Sequence, residues 1–271
     1  MKRKFQFTKM HGLGNDFIVV DAINQRLDVS ESPELAKKLC ERNFGIGADG
    51  LILALRPTHS DIQMRIFNPD GSEPEMCGNG IRCFAKFIHD NKMIEKDVFS
   101  VETAAGIIVP ALITNNGEVT AVEVDMGAPA YTQIKEQIAV NNQNFEFTRV
   151  SMGNPHAVVF VDDLKKIDIE GLGPHFETHP TFPDRTNTEF IQVINRNEIV
   201  LIVWERGAGE TLACGTGACA SVVAGVLTDR LDRKVLVHLP GGDLSIEWQQ
   251  SDNHVMMTGP ATSVYKGEIE L

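Results

Sequence analysis

Cys77 and Cys214 each stand between a polar, turn-forming stretch and a Gly-x-Gly sequence. The two stretches are Asn68-Pro-Asp-Gly-Ser-Glu-Pro-Glu-Met-Cys77-Gly-Asn-Gly and Glu205-Arg-Gly-Ala-Gly-Glu-Thr-Leu-Ala-Cys214-Gly-Thr-Gly. In each, a polar residue (Asn68, Glu205) lies nine positions before the thiol and a glutamate (Glu73, Glu210) four before it. A thiol can act as acid and base near neutrality, because its free pKa of about 8.5 is close to working pH. Two thiols on opposite faces of one carbon are what inversion of a weakly acidic α-centre requires. A cysteine that opens a helix also has the first helix amides beside it, with the positive end of the dipole behind them. That setting is expected to lower the thiol toward neutrality and to bind a carboxylate. The same amides stabilise charge that develops as an α-hydrogen leaves. None of this chemistry calls for a metal.

The elements that must position these thiols are mostly extended. FQFTKM, DFIVVDA, LILAL and DIQMRIFN in the first half, and HAVVFVD, TNTEFIQVIN, EIVLIVWE and KVLVHLP in the second, are short runs bounded by Gly, Asn, Asp and Pro. They read as strands at spacings suited to antiparallel sheet. Helices are expected over residues 32–41, 80–90 and 217–229. The last two are apolar on most faces and should be buried, each wrapped by its own sheet. His175 and His179 are framed by Pro174 and Pro180, which reads as a loop and not as a metal pair.

The repeat extends beyond the cysteines. Gly14-Asn15 precedes FIVVDA and Gly153-Asn154 precedes AVVFVDD; the asparagines lie 62 and 60 residues before their cysteines, and the cysteines are 137 apart. Matches in the same order imply an internal duplication. The expected fold is α/β (α+β), with two pseudo-symmetric domains, each a mainly antiparallel sheet around a central helix. The boundary is placed at the polar turn 115–117. This gives a first domain over 1–117, joined by a closing strand over about 262–271, and a second over 118–261.

Composition narrows the function classes. With 42% hydrophobic and 23% charged residues the chain reads as globular, and its formal charge of −12 argues against a general nucleic-acid surface. The basic N-terminus has no apolar run behind it, so export is not expected and the cytoplasm is. No stretch is long and apolar enough to span a membrane. Five cysteines, an odd number, do not make a disulfide framework. Cys40, Cys83 and Cys219 are expected to be small buried hydrophobes.

HGLGNDF (11–17), FGIGADG (44–50), NPDGSEPEMCGNGIRC (68–83), GNPHAV (153–158), TNTEF (186–190) and ERGAGETLACGTGAC (205–219) together resemble the diaminopimelate epimerase family, in that family's order and across essentially the whole chain. The resemblance implies cofactor-independent interconversion of LL- and meso-2,6-diaminopimelate, on the route to lysine and peptidoglycan, by a protein that is commonly a homodimer. It assigns Cys77 and Cys214 as the acid/base pair and places His156 and Glu205 beside the reacting centre. It gives Gly78, Asn79, Gly215 and Thr216 amide contacts to the reacting carboxylate, and Arg206 the distal carboxylate. Asn15, Asn68, Asn154 and Asn187 match further polar contacts, and Tyr265 matches a tyrosine that supports a dimer in some members. Gly50 departs from the pattern: some members carry glutamine there.

Two other readings stay open at this level. A proline or hydroxyproline racemase of the same fold holds a small ring and does not need Arg206 with several asparagines at a distal end. A non-enzymatic thiol redox protein predicts no exchange of a substrate hydrogen with solvent.

Overall fold

The computed structural model describes residues 4–270. In chain order the first part comprises β1 (Lys4–Gly12), β2 (Asn15–Asp21), α1 (Ala22–Gln25), α2 (Ser32–Cys40), β3 (Gly50–Leu55), β4 (Ile62–Phe67), α3 (Gly78–Asp90), β5 (Val101–Thr103), β6 (Gly106–Ile108), β7 (Ala111–Asn115) and β8 (Glu118–Asp125). Then follow β9 (Ala130–Tyr131), β10 (Glu136–Val140), β11 (Gln143–Ser151), β12 (Pro155–Phe160), α4 (Ile169–Glu177), β13 (Asn187–Asn195), β14 (Glu198–Glu205) and β15 (Gly209–Thr211). The chain ends with α5 (Gly215–Leu227), β16 (Lys234–Leu239), β17 (Gly242–Trp248), β18 (Val255–Gly259) and β19 (Thr262–Glu270).

The chain divides into two compact units, Met1–Val124 with Gly259–Leu271, and Asp125–Thr258. The units part at 124/125 and 258/259 and not at 117/118 and 261/262. The polar turn 115–117 lies inside the β7–β8 hairpin, where Asn116 and Gly117 adopt positive φ. A turn that reverses a paired strand looks the same in sequence as one that ends a domain.

The duplication is visible in the strand order. The first unit has β19-β1-β2-β3-β4-β5-β6, and the second has β10-β11-β12-β13-β14-β16-β17-β18. The pairing senses match step by step. β2 with β3 and β12 with β13 are parallel, as are β4 with β5 and β14 with β16, while the intervening pairs are antiparallel. Parallel neighbours need a crossover, and helices supply it: α2 and α4 at the first crossover of each unit, α3 and α5 at the second.

Each unit has a helix on either side of its sheet. In the first, α3 packs against β1, β2, β3 and β19. On the other side, Ala36, Leu39 and Cys40 of α2 share a core with Phe5, Phe7, Ile18, Leu51 and Leu53. The second unit repeats this with α5 against β11, β12, β13, β16 and β17, and with Leu172 and Phe176 of α4 in a core with Phe147, Val159 and Phe190. A strand covered on both faces must be apolar on both, and every residue of β3 is buried. Burial of α5 runs through Gly217–Gly225 without interruption, as its all-round apolar sequence requires.

Residues 169–177 overturn the expected loop. They form α4, with Pro174 inside the helix and Asp168 capping it through Gly171 N–H at 3.0 Å. Proline disfavours a helix interior, but the packing of Leu172 and Phe176 outweighs the one backbone bond Pro174 removes.

Candidate active site

The first unit builds a half-site at the start of α3. Cys77 is the N-cap, in extended conformation (φ −138°, ψ 116°), and its sulfur accepts the Gly80 N–H at 3.4 Å. A Cβ on Gly80 would stand 3.3 Å from the Cys77 Cβ, so the bare residue lets the thiol fold back over the first turn. Gly78 and Asn79 occupy the first two helical positions, where an N–H has no acceptor within the helix.

Polar neighbours fix this half-site in layers. Asn15 Oδ1 accepts from Asn79 Nδ2 at 3.2 Å and lies 3.8 Å from the Cys77 sulfur, while Asn15 Nδ2 donates to Asp49 at 2.9 Å. Arg42 binds Asp49 at 2.7 Å and Asp16 at 3.0 Å. Burial pushes the Asp16 carboxyl up, but hydrogen bonds from Lys9 and Arg42 outweigh it and hold the group below its ordinary value. Beneath the thiol, the fully buried Arg82 donates to Gly78 O (2.9 Å), Asn79 Oδ1 (2.9 Å) and Pro260 O (3.3 Å). Asn68 sits on the turn after β4, where its Nδ2 donates to Ser72 Oγ at 2.9 Å. Glu73 pairs with Arg65 of β4 and so ties the turn to its strand.

The second half-site opens α5 in the same way. Cys214 is the N-cap (φ −115°, ψ 111°), its sulfur accepts the Gly217 N–H at 3.3 Å, and Gly215 and Thr216 take the first two helical positions. The Thr216 hydroxyl lies 3.4 Å from the sulfur. Asn154 Nδ2 donates to that hydroxyl at 3.2 Å, and Asn154 Oδ1 faces His156 Nε2 at 3.1 Å. His156 Nδ1 meets Glu189 Oε1 at 2.6 Å, and both side chains are fully buried. Glu205, at the end of β14, accepts from the Thr211 hydroxyl at 2.5 Å.

This half-site is acid-rich. Burial pushes the Glu205 carboxyl up, and the neighbouring Glu189 adds to the shift. The Cys214 thiol is held well above its ordinary value by burial, then by the charges of Glu205 and Glu189, against weaker opposition from Thr216 and Gly217. The expectation that a helix start lowers the thiol is therefore overturned at Cys214. A helix N-terminus contributes about 0.3–1 kcal/mol at an exposed site, whereas full burial can move a group by several pKa units.

Asn187 is 4% exposed and committed to the protein: its Nδ2 donates to Pro155 O (2.8 Å) and its Oδ1 accepts the Arg206 N–H (2.9 Å). It sets the turn on which Arg206 stands, exposed, with Nη1 donating to Asp184 O at 3.0 Å. Helix α4 braces the same turn, because Glu177 accepts from Gly207 N (3.0 Å) and Trp204 Nε1 (2.8 Å). Gly50 opens β3 with Phe67 O and the Phe17 ring 3.1 and 3.3 Å from where a Cβ would be, so this chain has little room for a side chain there. Tyr265 lies on β19, packed edge-on to Phe7 at 5.9 Å. Cys40, Cys83 and Cys219 are buried, and burial pushes Cys40 and Cys83 up to about 12.

The structure thus gathers Cys77, Gly78, Asn79 and Asn15 in one unit, and Cys214, Gly215, Thr216, Asn154, His156 and Glu205 in the other. Sequence reasoning missed Arg82, Glu177 and Glu189. Two of these carried a signal: Arg82 is a charge within IRCFAKFI, and Glu189 a charge within a strand that begins NTEFI. An ionisable residue in an apolar element is rarely buried unless paired.

A family model described as diaminopimelate epimerase matches residues 7–132 and 148–264. The diaminopimelate epimerase of Moorella thermoacetica is 54% identical over 98% of this chain and 99% of its own length. That of Methanococcus maripaludis is 50% identical over 98% and 100%. Among solved structures, a phenazine biosynthesis protein of the PhzF family from Bacillus anthracis superposes with a TM-score of 0.78 at 17% identity, covering 98% of this chain and 99% of that one. A hydroxyproline epimerase from Agrobacterium vitis does so with 0.72 at 17%, covering 100% and 94%. These two likenesses are likenesses of fold.

Proposed function

Because this chain belongs to the diaminopimelate epimerase family, we propose that it is an isomerase interconverting LL- and meso-2,6-diaminopimelate, in lysine and peptidoglycan precursor formation, with no cofactor. The observation that supports this most is the half-site built twice: a cysteine N-cap, bare glycine at the third helical position, and a sulfur folded onto that glycine's amide. Inversion takes a base on one face of the α-carbon and an acid on the other, and the proposal gives these roles to Cys77 and Cys214.

Burial and two carboxylates oppose ionisation of Cys214, so its thiolate must be offset by hydrogen bonds when the proton is handed over. The helix-start amides of Gly78, Asn79, Gly215 and Thr216 hold the reacting carboxylate, where charge grows as the α-hydrogen departs. Glu205 takes the reacting amino group, while His156, fully buried with its two ring nitrogens on Glu189 and Asn154, orders the site around it. Arg206, exposed on its braced turn, binds the distal carboxylate through two parallel bonds. Asn15, Asn68, Asn154 and Asn187 order these groups and complete the polar lining.

The protein works in the cytoplasm as a homodimer. Among the described residues no helix is long and apolar enough to cross a membrane. β19 is an edge strand nine residues long with Val264 and Tyr265 exposed, and such an edge is commonly covered.

LL-diaminopimelate incubated with the protein in heavy water should acquire deuterium at one α-carbon and appear as the meso isomer. Absence of both overturns the reading. Exchange of proline or hydroxyproline in its place would move the assignment to a ring-substrate racemase.

A further inference from the structure

The buried glutamate on β13 has no role in the two-thiol scheme. Glu189 is fully buried, its Oε1 meets His156 Nδ1 at 2.6 Å, and its Oε2 has no hydrogen-bond partner among the described residues. A buried carboxylate with an unsatisfied oxygen is expensive to keep, so its retention in this place calls for a reason.

Hydrogen-bond direction supplies one. Asn154 donates through Nδ2 to Thr216 Oγ1 at 3.2 Å, which turns its Oδ1 to His156 Nε2 at 3.1 Å. An oxygen acceptor there demands that Nε2 carry hydrogen. Nδ1 then shares its proton with Glu189, the only arrangement that leaves Nε2 the donor in either charge state. Because Thr216 Oγ1 already accepts from Asn154, its own hydrogen is left for the next neighbour, the Cys214 sulfur at 3.4 Å. Every link runs the same way.

We propose that Glu189 is a positioning residue that anchors a one-way hydrogen-bond relay, Glu189–His156–Asn154–Thr216–Cys214, which keeps a hydroxyl donor aimed at the Cys214 sulfur. Its benefit falls on the thiolate. Once Cys214 has delivered its proton, the sulfur is an anion in a buried site beside Glu205 and Glu189. A hydrogen bond to a charged group offsets part of that cost. All five residues belong to one unit, so the relay is complete within the second half-site. This consequence for turnover rests on the epimerase reading; the relay itself does not.

Its test therefore reads thiol chemistry rather than turnover. The full chain is treated with methyl methanethiosulfonate at fixed pH, and labelling of Cys214 and Cys77 is followed peptide by peptide, Cys77 serving as the reference. Thr216→Val and Asn154→Leu, which change no charge, should each slow Cys214 by about 3–10-fold with Cys77 unaltered. Combined, they should slow it no more than the worse single change. Glu189→Leu removes both a charge and the anchor. Its effect on Cys214 should differ by about 3-fold or more between the Thr216 and Thr216→Val backgrounds, since only the charge is felt in the second. Glu189→Gln, which removes the same charge but keeps a polar group opposite Nδ1 in the same volume, should leave Cys214 about 3-fold or more faster than Glu189→Leu does, and its own effect in the Thr216 and Thr216→Val backgrounds carries the test if the leucine variant does not fold. Multiplicative losses for Asn154→Leu with Thr216→Val, equal Glu189 effects in the two backgrounds, or parallel changes at Cys77 overturn the relay. Failure of the heavy-water experiment is a separate result and leaves these readings intact.

Discussion

At the scale of residues, the two thiols share a local geometry and differ in surroundings. Each sulfur closes onto the third amide of its helix, at 3.4 Å for Cys77 and 3.3 Å for Cys214. Around Cys77 the neighbours are amide groups; around Cys214 they are two carboxylates, a hydroxyl and an amide. Removing a negative charge beside Cys214 should therefore ease its ionisation. In Glu205→Gln the pH midpoint for alkylation of Cys214 is expected to fall relative to the unsubstituted protein, with that of Cys77 unchanged. An unmoved or raised midpoint at Cys214 would show that the carboxylate of Glu205 is not what holds the thiol up.

At the scale of elements, the glycine at the third position of each helix does a different amount of work. A Cβ on Gly217 would lie 2.7 Å from Glu189 Oε1, and Glu189 is held by His156 and cannot swing away. On Gly80 the nearest atoms stand at 3.3 Å, two of them the movable ends of Ile52 and Ile66. Gly217→Ala is expected to cost about 1–3 kcal/mol in urea unfolding, and Gly80→Ala clearly less; equal losses would refute the argument. Strand β16 offers a pH test. His238 bonds Glu198 of β14 at 2.9 Å and Asp243 of β17 at 2.7 Å, and these bonds raise the imidazole above its ordinary 6.5. A raised folded value stabilises fully below the unfolded value and is lost as pH climbs through the folded one. His238→Gln should lower Tm by about 1–3 °C near pH 5.5 and by almost nothing near pH 9. The reverse trend would mean that the imidazole is neutral in the folded protein.

At the scale of the whole molecule, the duplication leaves a topological seam. The edge strand of the second unit, β10, comes directly before its neighbour β11 in the chain, but its counterpart in the first, β19, comes from the far end of the sequence. That return pairs β1 with β19 from Lys4 to His11 and leaves the outer face of β19 exposed. Sedimentation equilibrium should report twice the chain mass, and Tyr265→Ala should weaken the association by about tenfold or more, the order expected for an aromatic contact residue. A protein sedimenting as a single chain would exclude the homodimer.

The sequence by itself determined what repeats and what is local. Two copies of a cysteine before Gly-x-Gly, followed by helices apolar all round, specify a buried helix capped by a thiol, because N-caps, glycines and apolar faces act within a turn or two. The repeat reaches the outer helices too: α2 is legible in residues 32–41, and its counterpart by duplication is α4, where the prolines suggest a loop. Tertiary structure alone decided what surrounds the sulfurs. Glu189 and Cys214 are 25 residues apart in sequence, and only the register that sets His156 opposite Asn187 and Val158 opposite Glu189 brings the carboxylate under the histidine. Strand pairing and burial are properties of the packed chain, and they turned a thiol expected to be acidic at Cys214 into one held high.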